Sequence, residues 1–102
     1  MPVIDGFSPV GTTKSLSVSG ATNRVALPVL AAMPRTVRVL NDLAEKVFIE
    51  FGVSDVNAVT TTSLPLGAGA VEFFEIGPAV THMAAVSASG SGTVYVTEGQ
   101  GS

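Results

Sequence analysis

The sequence predicts an all-β protein: a two-sheet antiparallel β-sandwich, jelly-roll or immunoglobulin-like, with an extended N-terminal arm. Three observations predict it. Short runs rich in Val, Ile, Thr, Phe and Tyr alternate apolar and polar residues with a period of two; Gly, Pro, Asn and Ser separate those runs; and no long segment keeps a helical period. Eight such runs in 102 residues match two packed sheets.

Taken in order, residues 1–13 form the arm and residues 14–102 the single sandwich domain. The arm holds Val3, Ile4, Phe7 and Val10 among turn-forming Pro and Gly, too apolar for a solvated tail. It is expected to lie on its own domain or to reach a neighbouring subunit. Strands are expected over residues 14–19, 24–27, 35–41, 46–51, 60–66, 70–76, 81–87 and 93–98. The clearest is 46–51, where Val47, Ile49 and Phe51 share one face and Lys46, Phe48 and Glu50 the other. Val37 and Val39, and then Val94 and Val96, repeat that pattern and mark inward faces. A short helix fits residues 29–33 and a turn fits 41–45, both too brief to alter the class.

Composition narrows the function. The chain is 46% hydrophobic and only 13% charged, about half the roughly 25% usual for soluble domains. Such a surface suits contact with other proteins, because few charges must be desolvated. The net charge is −3, and Lys14, Arg24, Arg35, Arg38 and Lys46 form no run, which disfavours direct binding to nucleic acid or to an anionic membrane. No stretch approaches the ~20 apolar residues of a membrane helix. With no cysteine there is no disulfide framework, thiolate zinc site or cysteine nucleophile.

No catalytic, cofactor or metal site is expected. His82 is the only imidazole, and no carboxylate stands at a spacing that marks a triad or a metal site. The acidic residues Asp5, Asp42, Glu45, Glu50, Asp55, Glu72, Glu75 and Glu98 are scattered, and fit solvent-facing charges that keep strand edges apart. A sandwich that brought Glu72 or Glu75 near Glu50 would give the paired carboxylates of a glycosidase, the one enzymatic arrangement the spacing leaves open. Gly67-Ala68-Gly69 lacks the Lys and Ser/Thr of a phosphate loop and leads into a strand, so it is a turn. Asp42 and Asp55 lack the alternating oxygen ligands of a calcium loop.

What the pattern does place outward is aromatic. If Val47, Ile49 and Phe51 face the core, Phe48 faces out; if Val94 and Val96 do, Tyr95 faces out. Phe73 and Phe74 are adjacent and must point to opposite faces. Outward aromatics anchor protein interfaces, so Phe7, Phe48 and Tyr95 are the expected contact residues. A covering loop or the arm is the alternative for each.

Four segments carry a resemblance: Arg35-Thr-Val-Arg-Val-Leu-Asn, Val47-Phe-Ile-Glu-Phe-Gly, Leu64-Pro-Leu-Gly-Ala-Gly-Ala-Val-Glu-Phe-Phe and Gly92-Thr-Val-Tyr-Val-Thr-Glu-Gly. Over residues 21–99 the chain resembles small virion proteins of tailed bacteriophages and prophages. These motifs are strand-and-turn patterns without a chemical signature. The resemblance implies a capsid decoration, or cement, protein on the outer surface of the phage head. Such a protein clamps adjacent major capsid protein subunits, and the chain is expected to do so as a homo-oligomer, dimer or trimer. The rival expectation is a carbohydrate- or receptor-binding module on a tail or fibre, with Tyr95 between Thr93 and Thr97 as its platform.

Overall fold

In the computed structural model, residues 8–9, 12–27 and 35–100 are described. Among them nine strands form: β1 (Ser8–Pro9), β2 (Lys14–Val18), β3 (Asn23–Ala26), β4 (Arg35–Asn41), β5 (Val47–Gly52), β6 (Leu64–Leu66), β7 (Val71–Ile76), β8 (His82–Ser87) and β9 (Gly92–Gln100). No helix occurs among the described residues. The segment 29–33 lies outside them, and 43–45 is a bend.

The strand pairings are nested. β2 pairs with β9, β3 with β8, β4 with β7 and β5 with β6, all antiparallel. The chain is therefore one long hairpin whose tip is β5–β6. Two further pairings, β4 with β9 and β5 with β8, roll that hairpin into two sheets. The first sheet runs β9–β4–β7, with β2 and then β1 following one another along the outer side of β9; the second runs β3–β8–β5–β6. This order is a jelly roll, which decides between the two sandwich types expected.

Alternation drives the two sheets together. Leu16, Val18, Val37, Val39, Val94 and Val96 project from the first sheet onto Val47, Ile49, Met83 and Ala85 of the second, all buried. Phe74 of β7 meets Phe51 of β5 across the gap, ring centroids 5.5 Å apart and tilted by 57°, the inclined geometry favoured by aromatic quadrupoles.

Both ends of this core are closed by polar side chains on β4. At its start, Arg35 is 1% exposed and forms a two-pronged ion pair with Glu98 of β9, Nε to Oε2 at 2.8 Å and Nη2 to Oε1 at 3.0 Å. Its Nη1 donates to the carbonyls of Gly77 and Val80 in the β7–β8 turn, at 3.0 and 2.7 Å. At the far end, the fully buried Asn41 donates through Nδ2 to the carbonyls of Glu45, Leu66 and Gly67, and its Oδ1 accepts from the Leu43 N–H. One side chain thus joins the β4–β5 turn to the β6–β7 turn. Among the described residues no buried side-chain nitrogen or oxygen lacks a partner.

Glu98 corrects the expectation that the acidic residues all face solvent. It shares the parity of Val94 and Val96, and its charge is tolerated inside because Arg35 arrives at the same depth. The strand expected over 60–66 is shorter, since Thr60–Thr62 form a turn. There the Ser63 hydroxyl accepts from the Val59 N–H and the Ser63 N–H donates to the Val59 carbonyl, both at 2.9 Å. These local bonds compete successfully with a sheet ladder.

Replacing Arg35 with Ala is expected to cost about 3–5 kcal/mol, the scale for orphaning one member of a buried ion pair, measured by chemical denaturation. The Arg35→Ala/Glu98→Ala double variant should lose clearly less than the sum of the two single variants. Strictly additive losses would show the two side chains to be uncoupled.

Candidate protein-interaction face

A sandwich has two outer faces, and here they differ. Across the second sheet runs the β5–β6 connection, which places Val56 and Ala58 over Phe48, Ala84 and Val86 in a small apolar cluster of their own. The connection is tied down from the β3 side: Arg24 donates through Nε to the Val56 carbonyl at 2.7 Å and through Nη2 to Asn57 Oδ1 at 2.6 Å. Thr22 Oγ1 accepts from the Ala58 N–H at 2.9 Å, and Ser63 Oγ donates to Glu50 at 2.8 Å. Phe48 does lie on the outer side of its sheet, as alternation requires, but it is half-buried under its own chain.

No described segment crosses the first sheet in this way. Pairing register gives the layout of its outer face, since directly opposed residues share a side. One row reads Ser15, Tyr95, Leu40, Val71; the next reads Thr97, Arg38, Phe73; a third brings Thr36 between Gly99 and Glu75. Phe73 is 42% and Val71 39% exposed, while Tyr95, Leu40 and Arg38 are half-buried. Arg38 and Glu75 are the only charges in these rows, one of each sign. The remaining polar groups are hydroxyls; Thr36 and Thr97 are buried, and the Thr13 and Thr97 hydroxyls share a hydrogen bond at 2.6 Å.

Of the three expected contact residues, Tyr95 sits in the middle of this face, Phe48 on the opposite side of the molecule, and Phe7 outside the described residues. Leu40, Val71 and Phe73 belong to the face and were not picked out as contacts. Leu40 and Val71 were legible only once β4 and β7 were known to be neighbours, whereas the Phe73-Phe74 doublet already required one ring outside. The structure sends Phe74 inward.

The chemical alternatives are placed as follows. His82 is half-buried at the start of β8, with Nδ1 2.8 Å from the Thr81 hydroxyl. Glu50 projects from the outer side of the second sheet while Glu72 and Glu75 lie on β7 of the first, so these carboxylates do not share one space. No group of three or more His, Cys, Asp or Glu comes together among the described residues. An uncharged cleft of about 540 Å³ opens between the β2–β3 corner and the β8–β9 turn, lined by Ser17, Ser19, Thr22, Asn23, Ser91 and Thr93, among others. Comparison of the chain with protein-family models, with curated proteins and with solved structures finds no match.

Because Phe48 carries the connection above it, Phe48→Ala should cost about 2 kcal/mol, less than the roughly 3–5 of a fully buried ring, and should speed amide exchange over residues 53–63. Tyr95→Ala and Phe73→Ala should each stay within about 1 kcal/mol of the parent. Equal losses at all three positions in thermal unfolding would show the two faces to be equally covered.

Proposed function

We propose that this chain is a non-enzymatic attachment protein that decorates an assembled phage capsid. In this reading it lies across neighbouring major capsid protein subunits by the outer face of its first sheet. The observation that carries the reading is the asymmetry of the sandwich. One outer face is crossed by the protein's own β5–β6 connection, while the other, with Thr36 and Thr97 buried on it, exposes Val71 and Phe73 beside the half-buried Leu40 and Tyr95, with a single charge of each sign. A nearly neutral apolar face is inexpensive to desolvate. The resemblance to phage virion proteins supplies the shell.

Magnitudes favour many weak contacts over one strong one. Three to four strands about 4.8 Å apart and five residues of about 3.3 Å each give a flat face of roughly 300 Å², well under the roughly 800 Å² per partner of a stable interface. A dimer or trimer that engages several subunits at once turns such contacts into durable attachment. Because it binds the closed shell and not separated subunits, it stabilises the shell by mass action.

A second reading is favoured by the uncharged cleft beside Thr93, two residues along β9 from Tyr95. Hydroxyl and amide groups next to an aromatic ring suit a neutral glycan. Binding on a glycan array, lost in Tyr95→Ala, would place the protein on a tail or fibre; an array without signal disposes of this reading.

For the capsid reading, particles assembled with and without the protein should differ in heat resistance. The Leu40→Ser/Phe73→Ser variant should fold normally and fail to cosediment with particles. Equal particle stability, together with no density for the protein on the shell, overturns the proposal.

A further inference from the structure

We propose that the open edge of β7, together with the groove between β7 and β6, takes up an extended segment of another polypeptide that is apolar at alternate positions and carries Lys or Arg. This names the chemistry of the partner's contact and rests on the attachment reading above.

Among the described residues four margins bound the two sheets, and one of them has the length and composition to accept a strand. The β1–β2 margin carries Pro9 and the inward-side Lys14, β6 is three residues long around Pro65, and β3 is four residues long with its Arg24 engaged by the β5–β6 connection. β7 has six residues without Pro or Gly, pairs on one side with β4, and has no strand on its other side among the described residues. Its outward N–H and C=O groups form a template for strand addition.

The flanks of that template are apolar. Leu64, Val71 and Phe73, 47%, 39% and 42% exposed, are three of the five exposed large hydrophobics among the described residues, and all three lie along this margin. Between β6 and β7 runs a groove of about 270 Å³ floored by Leu66, Ala70 and Phe74 and walled by Leu64 and Pro65. An added strand would send alternate side chains into this groove and onto the outer face beside Phe73.

Charge decides which strand. Glu72 is the only charged residue lining the groove, and it makes no ion pair among the described residues. Glu75 stands on the other side of β7. Arg38, on β4, lies on the outer side with Glu75 and not on the side of Glu72. A second copy pairing edge to edge would bring the same two carboxylates against these. The chain's own arm, residues 1–13, offers Asp5 and no Lys or Arg. The carboxylates that keep copies apart therefore select a basic partner, an attraction and a repulsion built from the same side chains.

The test is an NMR titration of the ¹⁵N-labelled full chain with two synthetic peptides, Thr-Val-Lys-Val-Thr-Val-Lys-Val-Thr and its counterpart with Glu for Lys. The basic peptide should perturb and protect amides of residues 64–66 and 71–76, and bind several-fold more tightly than the acidic one. Glu72→Gln, at an exposed edge, should weaken the basic peptide about 3- to 10-fold with the rest of the spectrum unchanged. Perturbation elsewhere only, equal binding of both peptides, or concentration-dependent pairing of β7 with a second β7 overturns the inference. The attachment reading is judged on particles, so particle binding that survives without β7 protection sinks this inference alone.

Discussion

Everything in this fold hangs on β4, which lies between β9 and β7 in the middle of the first sheet, and on the two polar residues that close its ends. Arg35 enters the core already neutralised by Glu98 and saturated by turn carbonyls; Asn41 does the same for two turns at the other end. Such groups are costly to bury unless every donor finds its acceptor. A slip of β4 by one residue would expose Val37 and Val39 and strand both polar groups at once. Register is therefore held by the penalty for error more than by the strength of any single bond.

That constraint has a consequence for the surface. With β4 fixed between β9 and β7, residues of opposite parity, Arg38 and Leu40, must look outward beside Tyr95, Val71 and Phe73. The second sheet resolves the same problem differently, folding the β5–β6 connection back over Phe48, Ala84 and Val86. The proposed attachment follows from that difference. The first sheet's outer face is covered only in part, with Thr36 and Thr97 buried and Val71 and Phe73 exposed, and the proposed contact centres on that exposed part. The acidic edge of β7 adjoins this face, so a partner lying over the face passes the edge as well.

Much of the fold was legible because alternation is a local property. The strand over residues 35–41 has the bounds expected of it, and Val37, Val39, Val47, Ile49, Val94 and Val96 are all buried as their parity requires. The same parity put Arg35 and Glu98 inside, yet a lone charge in a sequence reads as a solvent residue; only the arrival of its partner from 63 positions away reverses that. The turn at 60–62 was hidden for a related reason, since Thr and Ser suit a strand until a neighbouring hydroxyl claims the backbone.

By itself, then, the sequence determined the all-β class, the positions of most strands, the scarcity of charge and the need for one ring of the Phe73-Phe74 pair to stand outside, because each depends on residues within a few places of one another. The tertiary structure alone decided the jelly-roll order, the covering of Phe48, the gathering of Leu40, Val71, Phe73 and Tyr95 onto one face and the open margin at β7. The physical reason is distance along the chain: strands such as β2 and β9, or β4 and β7, meet only through long-range pairing, which no local period encodes.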